Sequence, residues 1–149
     1  MKLKTDENGI VTNAKIKVST KHSDWYKRMN IKDCERMFVC TYSFSDIFFI
    51  RRILSKVNCD ITLIANTKFY NTASKIKTEF PLVKMFLSPN AHAKILLAEP
   101  DIVWVSTDNF GHIPDSYDAA VGICSEDVYK FFYKQIRHIL MQPSTMELK

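Results

Sequence analysis

The stretch Asn90–His112, NAHAKILLAEPDIVWVSTDNFGH, reads as the two arms of one hairpin. Ile95–Ala98 and Ile102–Val105 are apolar runs of strand length, and Glu99-Pro100-Asp101 between them is turn chemistry. Residues two apart in a strand face the same side, so His92 and Lys94 are expected to project together. Thr107 and Asn109 share a face at the end of the returning arm. Closing the hairpin brings the start of one arm against the end of the other, which gathers Asn109 toward His92 and Lys94. An imidazole, an ammonium and an amide in one place can bind a phosphate and attack it without a metal.

The flanking segments alternate between strand and helix signals. Upstream, MFVCTYSF from Met37 is β-rich, Ser45-Asp46 looks like the start of a helix over IFFIRRILSKV, and CDITLIAN reads as a buried strand. NTASKIKTEF is helical in pattern with Pro81 at its end, and VKMFLS alternates as a strand. Downstream, AAVGIC is a strand and SEDVYKFFYKQIRHIL is the best helix. Ser125 is its natural N-cap, Glu126 and Asp127 occupy its first turn, and Arg137 and His138 its last, as the helix dipole prefers. Val128, Phe131, Phe132, Gln135, Ile136 and Ile139 are the expected packing face. GIVTNAKIKVST alternates from Ala14 onward and suits a sheet edge guarded by Lys15 and Lys17. Residues 1–8 are polar and expected to be mobile. Residues 21–36 are mixed, with a short helix capped by Ser23-Asp24 as one reading. The pattern predicts an α/β fold, a mixed sheet flanked by helices, in a single domain over 1–149.

Composition narrows the function. The chain has 149 residues, 46% hydrophobic and 25% charged, enough to bury a core without disulfide staples. No apolar run is long enough to span a bilayer, and MKLKTDENG has no apolar core of a secretory signal, so a cytoplasmic protein without membrane partners is expected. The four cysteines, Cys34, Cys40, Cys59 and Cys124, form no CxxC pair and have no histidine at zinc-ligand spacing. Buried, reduced thiols are expected, with neither metal nor cofactor. A net charge of +5 favours a polyanionic partner such as nucleic acid.

The His92-to-Asn109 register resembles the signature of the phospholipase D superfamily. That signature is His-x-Lys, an acidic residue after four more, and six residues later a Gly-Ser pair closely followed by Asn. Here His92 and Lys94 match the first pair, and Glu99 stands where Asp is usual. Ser106 and Thr107 stand where Gly-Ser is usual, and Asn109 matches the Asn. Asp118, in SYDAAVGI, matches the acidic residue that commonly follows. The layout over about 35–141 is that of the small single-motif members; the N-terminal part is not explained by it.

The resemblance implies a fold and a mechanism. His92 would be the nucleophile, forming a phosphohistidine. Lys94, Asn109 and the Thr107 hydroxyl would hold the phosphate oxygens, Glu99 would orient a neighbour, and Asp118 would fix the His92 tautomer. Ser106, Ser43 and His112 are candidate substrate-binding residues. The family's reaction needs two histidines, and His22, His112 and His138 lack the motif, so an active enzyme is expected to be a homodimer sharing its site.

Other readings stand beside these. His138 suits a dipole-compensating surface residue, Arg51 and Arg52 a solvated helix face, and Trp104 the core. Trp25, Tyr26 and Lys27 suit core packing better than nucleic-acid stacking. The expected function is a phosphodiesterase of the nuclease kind, acting on DNA or RNA. The alternative is a catalytically inactive dimer that binds nucleic acid or a protein; a lipid-acting phospholipase comes third.

Overall fold

The strand β3, Asp60–Asn66, is buried at every residue after the first, which only a central strand covered on both faces permits. It belongs to a computed structural model that describes residues 13–18, 34–44, 47–107, 109 and 119–149. The elements run in order β1 (Asn13–Val18), β2 (Arg36–Cys40), α1 (Ile47–Leu54), β3, a 3-10 turn (Thr67–Phe69), α2 (Tyr70–Glu79), β4 (Lys84–Ser88), β5 (Ile95–Ala98), β6 (Ile102–Ser106), β7 (Ala119–Cys124), α3 (Glu126–Leu140) and β8 (Met146–Leu148).

The strands form one mixed sheet of eight in the order β1-β7-β6-β5-β2-β3-β4-β8. β2, β3 and β4 are parallel, and β5, β6 and β7 form an antiparallel meander joined to β2. The period of two along each strand splits the apolar residues between two faces. One face carries Met37, Val39, Leu63, Met85, Leu87 and Leu96, covered by Ile50 and Ile53 of α1 and Ala73 and Ile76 of α2. The other carries Phe38, Cys40, Ile64, Leu97 and Val103, covered by Tyr129 and Ile136 of α3. The α/β layering expected from the sequence is therefore present.

Ser125 caps α3 as its hydroxyl predicts, accepting from the Val128 N–H. Of the expected packing face, Ile136 is in the core and Val128, Phe132 and Ile139 pack against it, while two positions differ. Tyr129 and Ile136 are buried, whereas Phe131 is 60% exposed and Gln135 is exposed. The stripe extends to one side of the expected one, because Tyr129, Tyr133 and Leu140 join Val128, Phe132, Ile136 and Ile139 on the same core. The edge strand expected near Ala14 is β1, which pairs with β7 alone. β8 was not expected: three residues after Pro143 pair antiparallel with β4 and bury Leu148.

The thiols are less uniform than composition suggests. Cys40 is buried, but Cys124, at the end of β7, is exposed and donates to Asp101 Oδ2 at 3.0 Å. Cys34 and Cys59 are half-buried with their sulfurs 3.1 Å apart. Trp104 lies in the core as expected, 4% exposed, opposite Gly122 on β7. A Cβ at Gly122 would stand 2.6 Å from the Trp104 ring, so the glycine makes room for the indole. Arg51 does not present a simple solvated face. Its guanidinium donates from Nε to Glu79 Oε2 at 2.6 Å and from Nη2 to the other oxygen, tying α1 to α2.

Candidate active site

The hairpin forms with the expected turn. Ile95 pairs with Val105 and Ala98 with Ile102, and the Glu99-Pro100 bond is cis. One step beyond the strand pairs, the Ser106 N–H donates to the Lys94 carbonyl at 2.9 Å. That bond seats the His92–Lys94 segment beside the end of β6.

His92 and Lys94 are not on strand backbone, since residues 91–94 precede β5. Strand alternation therefore does not align them. Lys94 instead turns back on the histidine, its ammonium donating to the His92 carbonyl at 3.1 Å. Behind them, burial pushes the Cys40 thiol up to about 11, with the charge of Lys94 acting in the opposite sense. His92 itself is exposed.

Two residues that sequence reasoning missed support His92. β2 continues its parallel ladder past Cys40, with Thr41 N–H on the Ile64 carbonyl and Asn66 N–H on the Tyr42 carbonyl. This delivers the Tyr42 ring to the imidazole, centroids 5.1 Å apart and planes tilted by 48°. The second is Asn66, at the end of β3 and 5% exposed. Its amide donates to the carbonyls of Pro89 at 2.9 Å and Ala91 at 3.2 Å, and its oxygen accepts from the Lys68 N–H at 3.1 Å. The loop that leads into His92 is thus tied to a central strand. A lone amide closing the apolar run CDITLIAN was the available signal, because a buried amide needs partners. Tyr42 had no comparable local signal.

Other expected residues fall differently. Asn109 is half-buried, and its Oδ1 is buried with no hydrogen-bond partner among the described residues. That oxygen thus retains acceptor capacity. The Thr107 hydroxyl accepts from the Ala119 N–H at 3.0 Å and faces the Ala119 carbonyl at 3.5 Å, so it pins the start of β7. Ser106 is half-buried beside Lys94. Ser43 is 6% exposed, its carbonyl accepting from Thr41 Oγ1, so its side chain is turned inward where Tyr42 takes the outward position.

Glu99 is not brought to the cluster. It lies at the turn, five residues of extended chain or about 17 Å along the strand from Lys94. Arg36 grips its carboxylate with two bonds of 2.9 and 2.6 Å. The guanidinium holds this carboxyl below its ordinary range. Through Arg36 the carboxylate fastens the hairpin turn to β2. The acidic position falls in the turn, at the far end of β5 from Lys94.

Asp118, His112, Asp108, the Ser45-Asp46 helix start and Trp25, Tyr26 and Lys27 lie outside the described residues, as do His22, the Ser23-Asp24 cap and residues 1–8. Among the described residues no group of three or more His, Cys, Asp or Glu side chains could hold a metal. No described helix is long and apolar enough to cross a membrane.

No protein-family model matches the chain, and no curated protein matches it in sequence. Solved structures do match. Nuc from Salmonella typhimurium, a phospholipase D family member, superposes with a TM-score of 0.75 at 12% identity, over 93% of this chain and 99% of its own. NucT from Helicobacter pylori gives 0.74 at 13% identity, over 92% and 99%. Phosphatidylserine synthase from Haemophilus influenzae Rd KW20 gives 0.68 at 11% identity, over 96% of this chain and 44% of its own. At such identity the likeness speaks for architecture, and the architecture agrees with the motif register: the chain has the fold of the phospholipase D superfamily.

Proposed function

We propose that the chain is a phosphodiesterase that cleaves nucleic acid, with His92 as nucleophile and the site completed by a second copy. The reading is supported above all by the hairpin register, in which the Ser106–Lys94 bond sets the His92 segment beside the end of β6, three residues before Asn109. The fold and the charge of +5 agree with it.

A ring nitrogen of His92 forms the bond to phosphorus as the bond to the leaving oxygen breaks. The His92 of the second copy gives that oxygen its proton. Water then attacks the phosphohistidine, its proton passing to the second copy's histidine as the phosphorus–nitrogen bond breaks. The Lys94 ammonium offsets the charge on the non-bridging oxygens, and the Asn109 side-chain NH2 donates to them. Asp118 is the candidate carboxylate for the other ring N–H of His92, Ser106 is a candidate phosphate contact, and His112 stays a candidate at the rim.

One observation favours a second reading. The Thr107 hydroxyl, expected at the phosphate, is engaged with Ala119, which suits a dimer that binds nucleic acid without cutting it. Incubation with single- and double-stranded DNA and RNA in EDTA separates the two. Cleavage by wild type that His92→Ala abolishes supports the enzyme. Equal binding by both proteins with no cleavage favours the binding dimer, and hydrolysis of phosphatidylcholine alone would replace both. A monomer at working concentration would exclude the shared site.

A further inference from the structure

We infer that Tyr42 and Phe69 form a base-stacking subsite beside His92, which makes single-stranded nucleic acid the preferred substrate. The inference rests on the nucleic-acid reading above and adds strandedness to it. Tyr42 contacts two rings at once, His92 at 5.1 Å and Phe69 at 5.3 Å with planes at 78°. Both Tyr42 and Phe69 are only half-buried. Among the described residues, neither ring belongs to the two hydrophobic cores or packs against them. Those two cores therefore do not account for their apolar surface. Exposed Lys68 adjoins Phe69 in the same 3-10 turn, adding a cation one residue from the ring.

The position matters as much as the chemistry. A phosphate under attack by His92 carries nucleosides on both sides, so half-buried rings that begin against the imidazole are within reach of an adjoining base. In a duplex the bases are paired and stacked inward, and a ring at the phosphate cannot reach a base face. A single strand can turn its bases onto such a platform, and aromatic stacking accepts any base. A subsite of this kind selects by strand state and not by sequence.

The test compares cleavage of oligo(dT), the same strand annealed to oligo(dA), and an abasic tetrahydrofuran oligomer of equal length. Wild type is expected to favour oligo(dT) over both others by on the order of tenfold or more in kcat/KM, chiefly through KM. In Phe69→Leu and Tyr42→Leu the ratio of oligo(dT) to abasic rates should collapse toward one. A ratio cancels any loss of folded protein, so a destabilised variant still reports. Equal wild-type rates on all three overturn the subsite while leaving the nuclease reading intact. A preference that survives both substitutions also overturns it. If nothing is cut, the nuclease reading fails, and the same ratios are read as dissociation constants. Equal affinity for oligo(dT) and the abasic oligomer then overturns the subsite as well.

Discussion

Asn66 and Ala91 are 25 residues apart, yet the side-chain amide of the first donates to the carbonyl of the second at 3.2 Å and to Pro89 at 2.9 Å. The bonds hold the backbone just before His92 to the end of a buried strand. Asn66→Asp keeps the acceptor for Lys68 but turns an oxygen toward two carbonyls. It should lower kcat by between about tenfold and a hundredfold, as a displacement of about 1 Å does in a positioned site. Asn66→Ala should be milder at neutral pH. Single-turnover rates, with melting temperature alongside, decide the order of the two.

The Arg36–Glu99 pair should matter for stability and not for turnover. Both side chains are partly exposed, 49% and 20%, so its loss in Glu99→Gln should cost no more than about 1 kcal/mol. Because pairing lowers the Glu99 pKa from 4.5, its contribution is complete above that pH and is lost as pH falls through the lower folded value. Urea melts of wild type and variant should therefore converge in acid. A variant with wild-type stability but no cleavage would return Glu99 to the chemistry.

Gly122→Ala places a methyl against the Trp104 ring, where the Cβ would stand 2.6 Å away. Trp104 is a rigid, buried ring, so the strands must move. A loss of about 1–3 kcal/mol is expected. Because β6 carries Ser106, the variant should also shift the amide resonances of residues 105–107. Unchanged stability would mean that the indole can swing aside.

If two copies share one site, a heterodimer of wild type and His92→Ala lacks one of the two histidines. Activity should then follow the fraction of wild-type homodimer in a mixture, about one quarter at equal amounts with free exchange. Activity that falls only in proportion to the wild-type chain, to one half, would place a complete site within each chain.

Native-state alkylation should label Cys124 first and Cys40 last. Cys124 is exposed, whereas Cys40 is fully buried and its thiol is pushed up to about 11. Mass spectrometry after brief iodoacetamide treatment gives the order. Early labelling of Cys40 would mean that the floor beneath Lys94 opens.

What the chain determined locally is what its periodicities and neighbours determine. The hairpin turn, the Ser125 cap and the buried strand at Asp60–Asn66 all follow from residues within a few positions of each other. So did the spacing from His92 to Asn109, because one hairpin's register is fixed by its own turn. The partners that hold the histidine did not follow, since Tyr42 and Asn66 reach it through the parallel pairing of β2 with β3. Nor did the partner of Glu99, which is 63 residues away, or the added strand β8. A short apolar run can mark a strand, but which strand lies beside it depends on the whole sheet. Sequence spacing thus set the candidate nucleophile and cation, and strand order decided what supports them, because side chains meet across a sheet by register and not by distance along the chain.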